Sequence, residues 1–571
     1  MQQASRRAWW PVLIAVFLGL GLLAFAQSKH PFDPPEDAYI TFRYARNLAN
    51  GYGLVWNPGE DPVEGSTEFI WTVMLAGMVR LGFGMEQAAL VLNLAFGAAA
   101  VVVVTLAAYA LSGRRLLPSI FAGGSFAAGP LAYHVRGGFA TPLFTLLLVI
   151  VFVASILLTR LSQEHRLYRM AYPLLALGGL FLGLTRPEGV LYFGLTWVAL
   201  LVLLKPAQRL RLLRYTLLLF VLPGLVYFVW RWRYFGYLLP NTFYVKSTGG
   251  LLHLRYFEDI YLLFRFLAPL ILLIGVGLLW RARRDAWQHL ILLAPAFVFP
   301  WFYLLIDQLQ NLGKRFQYPV YPLFLLAGAV TLGILLPDEA IRPKRVRIRQ
   351  GLVVLAGTGM VIYALFVVLE RVVLIESLVL GLLLLAWLIR DAEPDLRIHL
   401  ETASLLVMAA LAVFTIQAGY RLARTFYPTR YDDLQAVGKA LQPFADRGYT
   451  LVASEAGWLP YFSEWRTIDP FGLNNEYIAH NGLNSHYLRS VEPDVILFHE
   501  VPNPDPPRWR ELVRLLRSYA EENGFALAAV IERKGPRDVH VYYVRRDNPE
   551  AQAIIDAITG LDGFVYQYRA P

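Results

Sequence analysis

The chain has 571 residues, of which 57% are hydrophobic and only 16% are charged, whereas soluble domains carry about a quarter charged residues, so a soluble fold is excluded. The formal charge of +10 sits mostly in short loops between apolar runs, a distribution that orients membrane proteins and gives no indication of nucleic-acid binding. The absence of cysteine removes disulfides, thiolate metal sites and a cysteine nucleophile together.

The first apolar run, Ala8 to Gln27 behind Arg6 and Arg7, has spanning length and lacks a small-residue cleavage site, so an uncleaved helix with a cytoplasmic N-terminus is expected. Further apolar segments begin near Thr67, Gln87, Leu116, Gly138, Tyr172, Gly189, Leu212, Tyr261, Trp287, Pro319, Gly351, Arg371 and Ile398. If all cross, the basic loops fall on opposite sides. If the stretch from Thr67 to Phe83 lies along the interface instead, Arg114 with Arg115, Arg160 to Arg169, Lys205 to Arg214, Arg281 to Arg284, Arg342 to Arg349 and Arg390 to Arg397 all face the cytoplasm. The positive-inside rule therefore selects about thirteen spans. That odd count puts the loop from Ser28 to Ser66 and the polar C-terminal region on the same, extracytoplasmic side.

The expected class is a polytopic α-helical membrane protein with a C-terminal extracytoplasmic α/β domain. Residues 1–424 form the membrane part, with the first external loop at 28–86, and residues 425–571 form the domain. In the loop, Pro34 and Pro35 open and Gly51 closes a helical stretch from Glu36 to Asn50. In the C-terminal region the pattern predicts a helix over Asp432 to Ala445, strands at Tyr449 to Ala453 and Asp494 to Phe498, a helix over Pro507 to Glu522, and strands at Phe525 to Ile531 and Val539 to Val544.

Adjacent Glu36 and Asp37 diverge by about 100° on a helix, so only one can point into a given cleft. Asp37 would share a face with Thr41, Tyr44 and Asn47, and Glu36 one with Tyr39 and Arg43. As first-turn acids they would contribute only about 0.3–1 kcal/mol through the helix dipole. Arg136, Arg186, Arg231, Arg233, Lys246, Lys314 and Arg315 stand near the outer ends of spans. Snorkelling to headgroups is expected for Arg231 and Arg233, and phosphate contact for Arg186, Lys314 and Arg315. Glu376 lies within an apolar run, where a charge costs about 2.5–3.5 kcal/mol, and so needs a polar partner or its proton. His134 and His480 show no metal-ligand spacing with carboxylates, and no metal is expected. The tyrosines and tryptophans at span ends belong first to the interfacial belt.

The run Glu36-Asp37-Ala38-Tyr39-Ile40-Thr41-Phe42-Arg43-Tyr44-Ala45-Arg46-Asn47-Leu48, continuing as Gly51-Tyr52-Gly53-Leu54-Val55-Trp56-Asn57-Pro58-Gly59-Glu60 and Val63-Glu64-Gly65, resembles the first external loop of the mycobacterial terminal arabinofuranosyltransferase family of GT-C membrane glycosyltransferases. Similar stretches follow in order: Thr185-Arg186-Pro187-Glu188-Gly189, Tyr234-Phe235-Gly236, Leu239-Pro240-Asn241-Thr242-Phe243-Tyr244 and Lys314-Arg315-Phe316. Ala456-Gly457-Trp458-Leu459-Pro460-Tyr461-Phe462 and Ile468-Asp469-Pro470-Phe471-Gly472-Leu473 resemble the start of its C-terminal domain. One departure stands out: where the family pattern has Gly-Met-Glu-Thr, this chain has Gly138-Phe139-Ala140-Thr141, without the carboxylate.

The resemblance implies a GT-C fold in the plasma membrane, acting as a monomer on its extracytoplasmic face. The implied reaction moves a sugar, arabinofuranose first, from a polyprenyl-phosphate donor to a glycan or lipid acceptor, with no cofactor. Such a transfer needs a base for the acceptor hydroxyl and cations for the departing phosphate. The family's catalytic Asp falls in the Glu36–Asp37 pair, and Asp37 is the preferred member. The donor phosphate and sugar would be held among Arg43, Asn57, Glu64, Arg186, Glu188, Asn241, Lys246, Lys314 and Arg315. The alternatives are transfer of another pentose or hexose to lipid or protein, a non-catalytic scaffold for carrier lipid, and a lipid or sugar transporter. A transporter requires a polar path within the spans, whereas the polarity here lies outside them.

Overall fold

The computed structural model describes residues 10–29, 34–246, 252–280, 284–305, 308, 311–335, 433–502, 507–535 and 538–561. Six helices among them are long and apolar enough to cross a membrane: Trp10–Ser28, Met85–Leu111, Thr141–Arg160, Arg166–Thr185, Pro206–Phe235 and Leu312–Gly333. Lipid offers the backbone no hydrogen-bond partner, so apolar runs of about 20 residues close their bonds internally as helices. The chain is therefore a polytopic helical membrane protein. The apolar segment Phe69–Arg80 has 12 residues and is about 18 Å long, shorter than the hydrocarbon core of about 30 Å. The spans expected from Gly351, Arg371 and Ile398, and Glu376 with them, lie outside the described residues.

Small residues bring the helices together, since packing rather than apolarity drives association in lipid. A Cβ on Gly123 would meet Thr105 Oγ1 at 2.1 Å, and one on Gly179 would meet the Phe193 ring at 2.3 Å. The helix Leu116–Ala128 stops at Gly129-Pro130, and a short turn of helix, Leu131–Arg136, continues beyond the break.

The C-terminal domain carries strands β1 (Thr450–Ala453), β2 (Arg466–Ile468), β3 (Val495–Glu500), β4 (Phe525–Gly535) and β5 (Asp538–Arg545). They form one sheet in the order β2-β1-β3-β5-β4. Strand β1 pairs in parallel with β2 and β3, while β3–β5 and β5–β4 are antiparallel. Period-two alternation sends Val452, Ile496, Phe498, Val541 and Tyr543 to one face, under the helix Pro507–Glu522. Leu451, Ala453, Leu497, Tyr542 and Val544 pack on the other face with the helices Asp433–Leu441 and Ala551–Thr559. The expected elements are all present. Strand β2 was not anticipated, because three residues at a sheet edge carry too little alternation to be read.

The same apolar cluster extends across to the first loop, taking in Ala38, Tyr39 and Phe42. Tyr39 meets Tyr461 and Phe462 at ring-centroid distances of 5.1 and 5.4 Å. The loop is thus built into the domain rather than lying free on the membrane surface.

Candidate active site

The loop helix runs Ala38–Ala49, two residues later than the opening prolines suggest, so Glu36 and Asp37 stand in the turn that precedes it. Asp37 occupies the N-cap position without a side-chain capping bond. Its carboxylate instead meets Arg315, Oδ2 to Nη2 at 2.8 Å. Glu36 accepts from the backbone N–H of Gly457 in the C-terminal domain. Glu36 is thus held by the domain backbone, while Asp37 faces the Arg315 guanidinium.

Arg315 is delivered by a strained turn. Gly313 and Lys314 both lie at positive φ, +61° and +56°, and a Cβ at Gly313 would strike the Tyr133 ring at 2.2 Å; only glycine fits there. Lys314, for which a left-handed backbone is unfavourable, is ion-paired to Asp259. Asn311 bonds both Asp259 at 3.0 Å and Gln317 at 2.7 Å, closing the turn from within. The Arg315 guanidinium lies 3.5 Å from the centroid of the Phe139 ring, and its Nε is buried with no hydrogen-bond partner.

Arg186 caps the helix Arg166–Thr185. It lies between Phe144 and Phe316 at 5.1 and 4.7 Å, pairs with Glu188 and donates to the Arg315 carbonyl at 3.3 Å. Glu188 also accepts from the Tyr303 hydroxyl at 3.1 Å. A carboxylate missed in the sequence completes the group: Glu68 accepts from the Ala140 N–H at 3.2 Å. Burial raises the Glu68 carboxyl above its ordinary value, against the pull of Arg315 and Arg186. It lies four residues beyond Glu64, just past the quoted loop motif, and it reaches the place where the Gly-Phe-Ala-Thr stretch lacks an acid. Asp37, Glu68 and Glu188 therefore gather around Arg186 and Arg315, from chain positions nearly 280 residues apart.

Other expected ligands have structural partners instead. Arg43 is 2% exposed and donates to the carbonyls of Trp56, Pro460 and Trp465 and to Asn57 Oδ1. Burial, then the neighbouring Arg46, pushes Arg43 down to about 9, so it stays charged at neutral pH. Asn57 spends its amide on Thr467 and Glu60, and Asn241 donates to the carbonyls of Gly472 and Leu473 at 2.7 and 2.9 Å. Glu64 is clasped by Arg231 through both oxygens; Arg231 is buried, not snorkelling, while Arg233 is exposed. Lys246 ends the short helix Asn241–Lys246, on a different element from this charged group. The Thr41, Tyr44 and Asn47 face is equally committed: Thr41 bonds Ser66, Tyr44 the Val63 carbonyl, and Asn47 the carbonyls of Val55 and Trp56. These residues staple the loop to itself and to the domain because a buried polar group must find a partner.

The fold is similar to those of two solved proteins. ArnT from Cupriavidus metallidurans bound to undecaprenyl phosphate superposes with a TM-score of 0.52 at 14% identity, covering 94% of this chain and 98% of that one. The Archaeoglobus fulgidus oligosaccharyltransferase tethered with an acceptor peptide gives 0.52 at 11% identity, over 94% of this chain and 74% of that one. In sequence, the chain is similar to the terminal β-(1→2)-arabinofuranosyltransferases. It is 28% identical over 325 residues to that of Mycobacterium tuberculosis, covering 52% of this chain and 47% of the relative. To that of Corynebacterium glutamicum it is 28% identical over 268 residues, covering 43% and 37%. The chain thus matches about half or less of the length of these curated relatives. Residues 418–542 match a family described as a domain of unknown function (DUF8728).

Proposed function

We propose that the protein is a membrane glycosyltransferase that moves a sugar, arabinofuranose first, from a polyprenyl-phosphate donor to a glycan or lipid acceptor on the extracytoplasmic face. The observation that carries this reading is the Asp37–Arg315 pair at 2.8 Å, in which a loop carboxylate faces a guanidinium whose Nε is buried and unpartnered. The acceptor oxygen attacks the anomeric carbon and the bond from that carbon to the phosphate oxygen breaks. The hydroxyl proton passes to Asp37, and the electron pair leaves with the lipid phosphate. Arg315 and Arg186 stabilise the charge that gathers on the phosphate, where fixed donors count most. Glu188 and Tyr303 orient Arg186, and Asp259 restrains Lys314, which reduces its claim to a direct phosphate contact. About thirteen spans with the loop and the C-terminal domain outside complete the reading.

Purified protein incubated with a panel of polyprenyl-phosphate sugars tests it. Donor consumption with a pentose donor, lost in Asp37→Asn, is the expected result. If no donor is consumed and none raises the melting temperature, the reading is wrong.

A further inference from the structure

The C-terminal sheet carries a second cluster of polar side chains that the proposed transfer does not use. Strand β3 pairs His499 with His540 of β5, and β1 pairs Ala453 with Leu497. Two residues further along, Glu455 therefore comes level with His499, and the two side chains meet at 2.8 Å. Glu455, just past the end of β1, His499 of β3 and His540 of β5 form one row, on the face shared with the helix Asp433–Leu441, at the carboxyl ends of the parallel pair. Open α/β sheets bind their ligands at such ends.

The ring nitrogens of the two histidines have different partners. His540 is fully buried and its Nδ1 is held by both oxygens of Asp433 at 2.7 and 2.8 Å; the Tyr542 hydroxyl bonds the same carboxylate at 2.8 Å. Its Nε2 has no partner. His499 turns Nδ1 to Glu455 and Nε2 to Asp538 at 2.8 Å, with the Arg533 guanidinium 3.2 Å from Nε2. A charged His499 held between two acids would account for Glu455 and Asp538. It would leave the buried Nε2 of His540 unsatisfied, at a cost of about 1–3 kcal/mol.

We infer that Glu455, His499 and His540 form a site for a divalent transition metal of the zinc class, bound through one carboxylate oxygen, His499 Nδ1 and His540 Nε2. The three ligand groups already offer atoms within 4.8 Å of one another. In a tetrahedral zinc site, with bonds of about 2.0–2.1 Å, ligand atoms lie roughly 3.3 Å apart, so closure needs movements of about an ångström. Each histidine has a carboxylate on its other ring nitrogen, Asp433 behind His540 and Asp538 behind His499, the arrangement that orients and strengthens imidazole ligands. Two imidazoles and a carboxylate leave a fourth position open to water or a further ligand. Bound metal would also fix Glu455 two residues before Gly457, whose N–H holds Glu36. The inference does not rest on the proposed glycosyl transfer.

The test uses the full chain in detergent, stripped with a chelator and titrated with Zn2+ and with Co2+. The expected results are about one equivalent bound, a raised melting temperature and the intense visible bands of tetrahedral Co2+. His540→Gln and Glu455→Gln should weaken Zn2+ binding at least 10-fold, while His486→Gln, at an exposed histidine, should bind like the parent. Absence of a bound equivalent and of Co2+ bands in the unaltered protein would overturn the site without any variant having to fold. Binding lost equally in His486→Gln would overturn it as well.

Discussion

Replacing Arg43 by Met separates a structural clamp from a substrate contact. The side chain makes four hydrogen bonds, two of them at 2.9 Å and one at 2.8 Å, and its guanidinium lies 4.6 Å from the centroid of the Trp56 ring. At about 1.5–3 kcal/mol for each charge-assisted bond the gross loss would be about 6–12 kcal/mol. Much of that is offset, because burying the guanidinium is itself unfavourable and three of the four acceptors keep another donor. Asn47 still bonds the Trp56 carbonyl at 3.1 Å, and Thr467 still serves Asn57 Oδ1 and the Trp465 carbonyl at 3.0 Å each. The expected net destabilisation is about 3–5 kcal/mol, the range for breaking a buried charged network. Arg43→Lys should recover part of it, since one ammonium cannot span four separated acceptors. Thermal melts in detergent read the loss, and a chymotrypsin time course should show earlier cleavage after Tyr52, Leu54 or Trp56 in the loop of residues 51–66. A variant that melts with the parent but no longer binds donor would refute the clamp and return Arg43 to the donor site.

Asp37→Asn should leave folding largely intact and lower turnover at least about 100-fold, with Glu36→Gln doing less; retained activity in Asp37→Asn with loss in Glu36→Gln would reverse the assignment. Arg315→Gln should weaken donor binding by about 1.5–3 kcal/mol, measurable by donor-induced thermal shift, and more than Lys314→Gln, whose ammonium is tied to Asp259; equal affinity in both variants and the parent would remove this turn from the donor site. In the cysteine-free chain, single cysteines at exposed Asp61 and Asp547 should both react with an impermeant thiol reagent added from outside the cell. Labelling at only one of them would contradict an odd number of spans.

The fold class was legible because apolar runs of spanning length and period-two strands report directly on burial. The Pro507–Glu522 helix has the bounds its pattern predicts. Asp37 drew attention through its position at a helix start, and the structure sets it against Arg315, while the polar face argued from Thr41, Tyr44 and Asn47 is occupied by loop-closing bonds. Arg43, Asn57, Asn241 and Glu64 read as ligands because an isolated polar residue gives no sign of whether its partner is a substrate or a distant carbonyl. Glu68 was missed for the complementary reason, since its contact with Ala140 spans 72 residues and leaves no local pattern. The Glu455–His499–His540 row is likewise set by strand register, with no motif spacing along the chain.

The clamp at Arg43 also constrains how the protein is made. Its bond to the Trp465 carbonyl joins residues 422 positions apart, and Trp56 and Asn57 wait for Thr467 across comparable distances. At about 5–20 residues per second the ribosome needs roughly 20–80 s to supply those partners. Throughout that interval the newly made loop holds a guanidinium that lacks two of its four acceptors and an indole N–H whose acceptor does not yet exist. The acidic turn can reach its working geometry only when translation is nearly finished, so a nascent chain that stalls before residue 465 would carry its spans and yet have no assembled site.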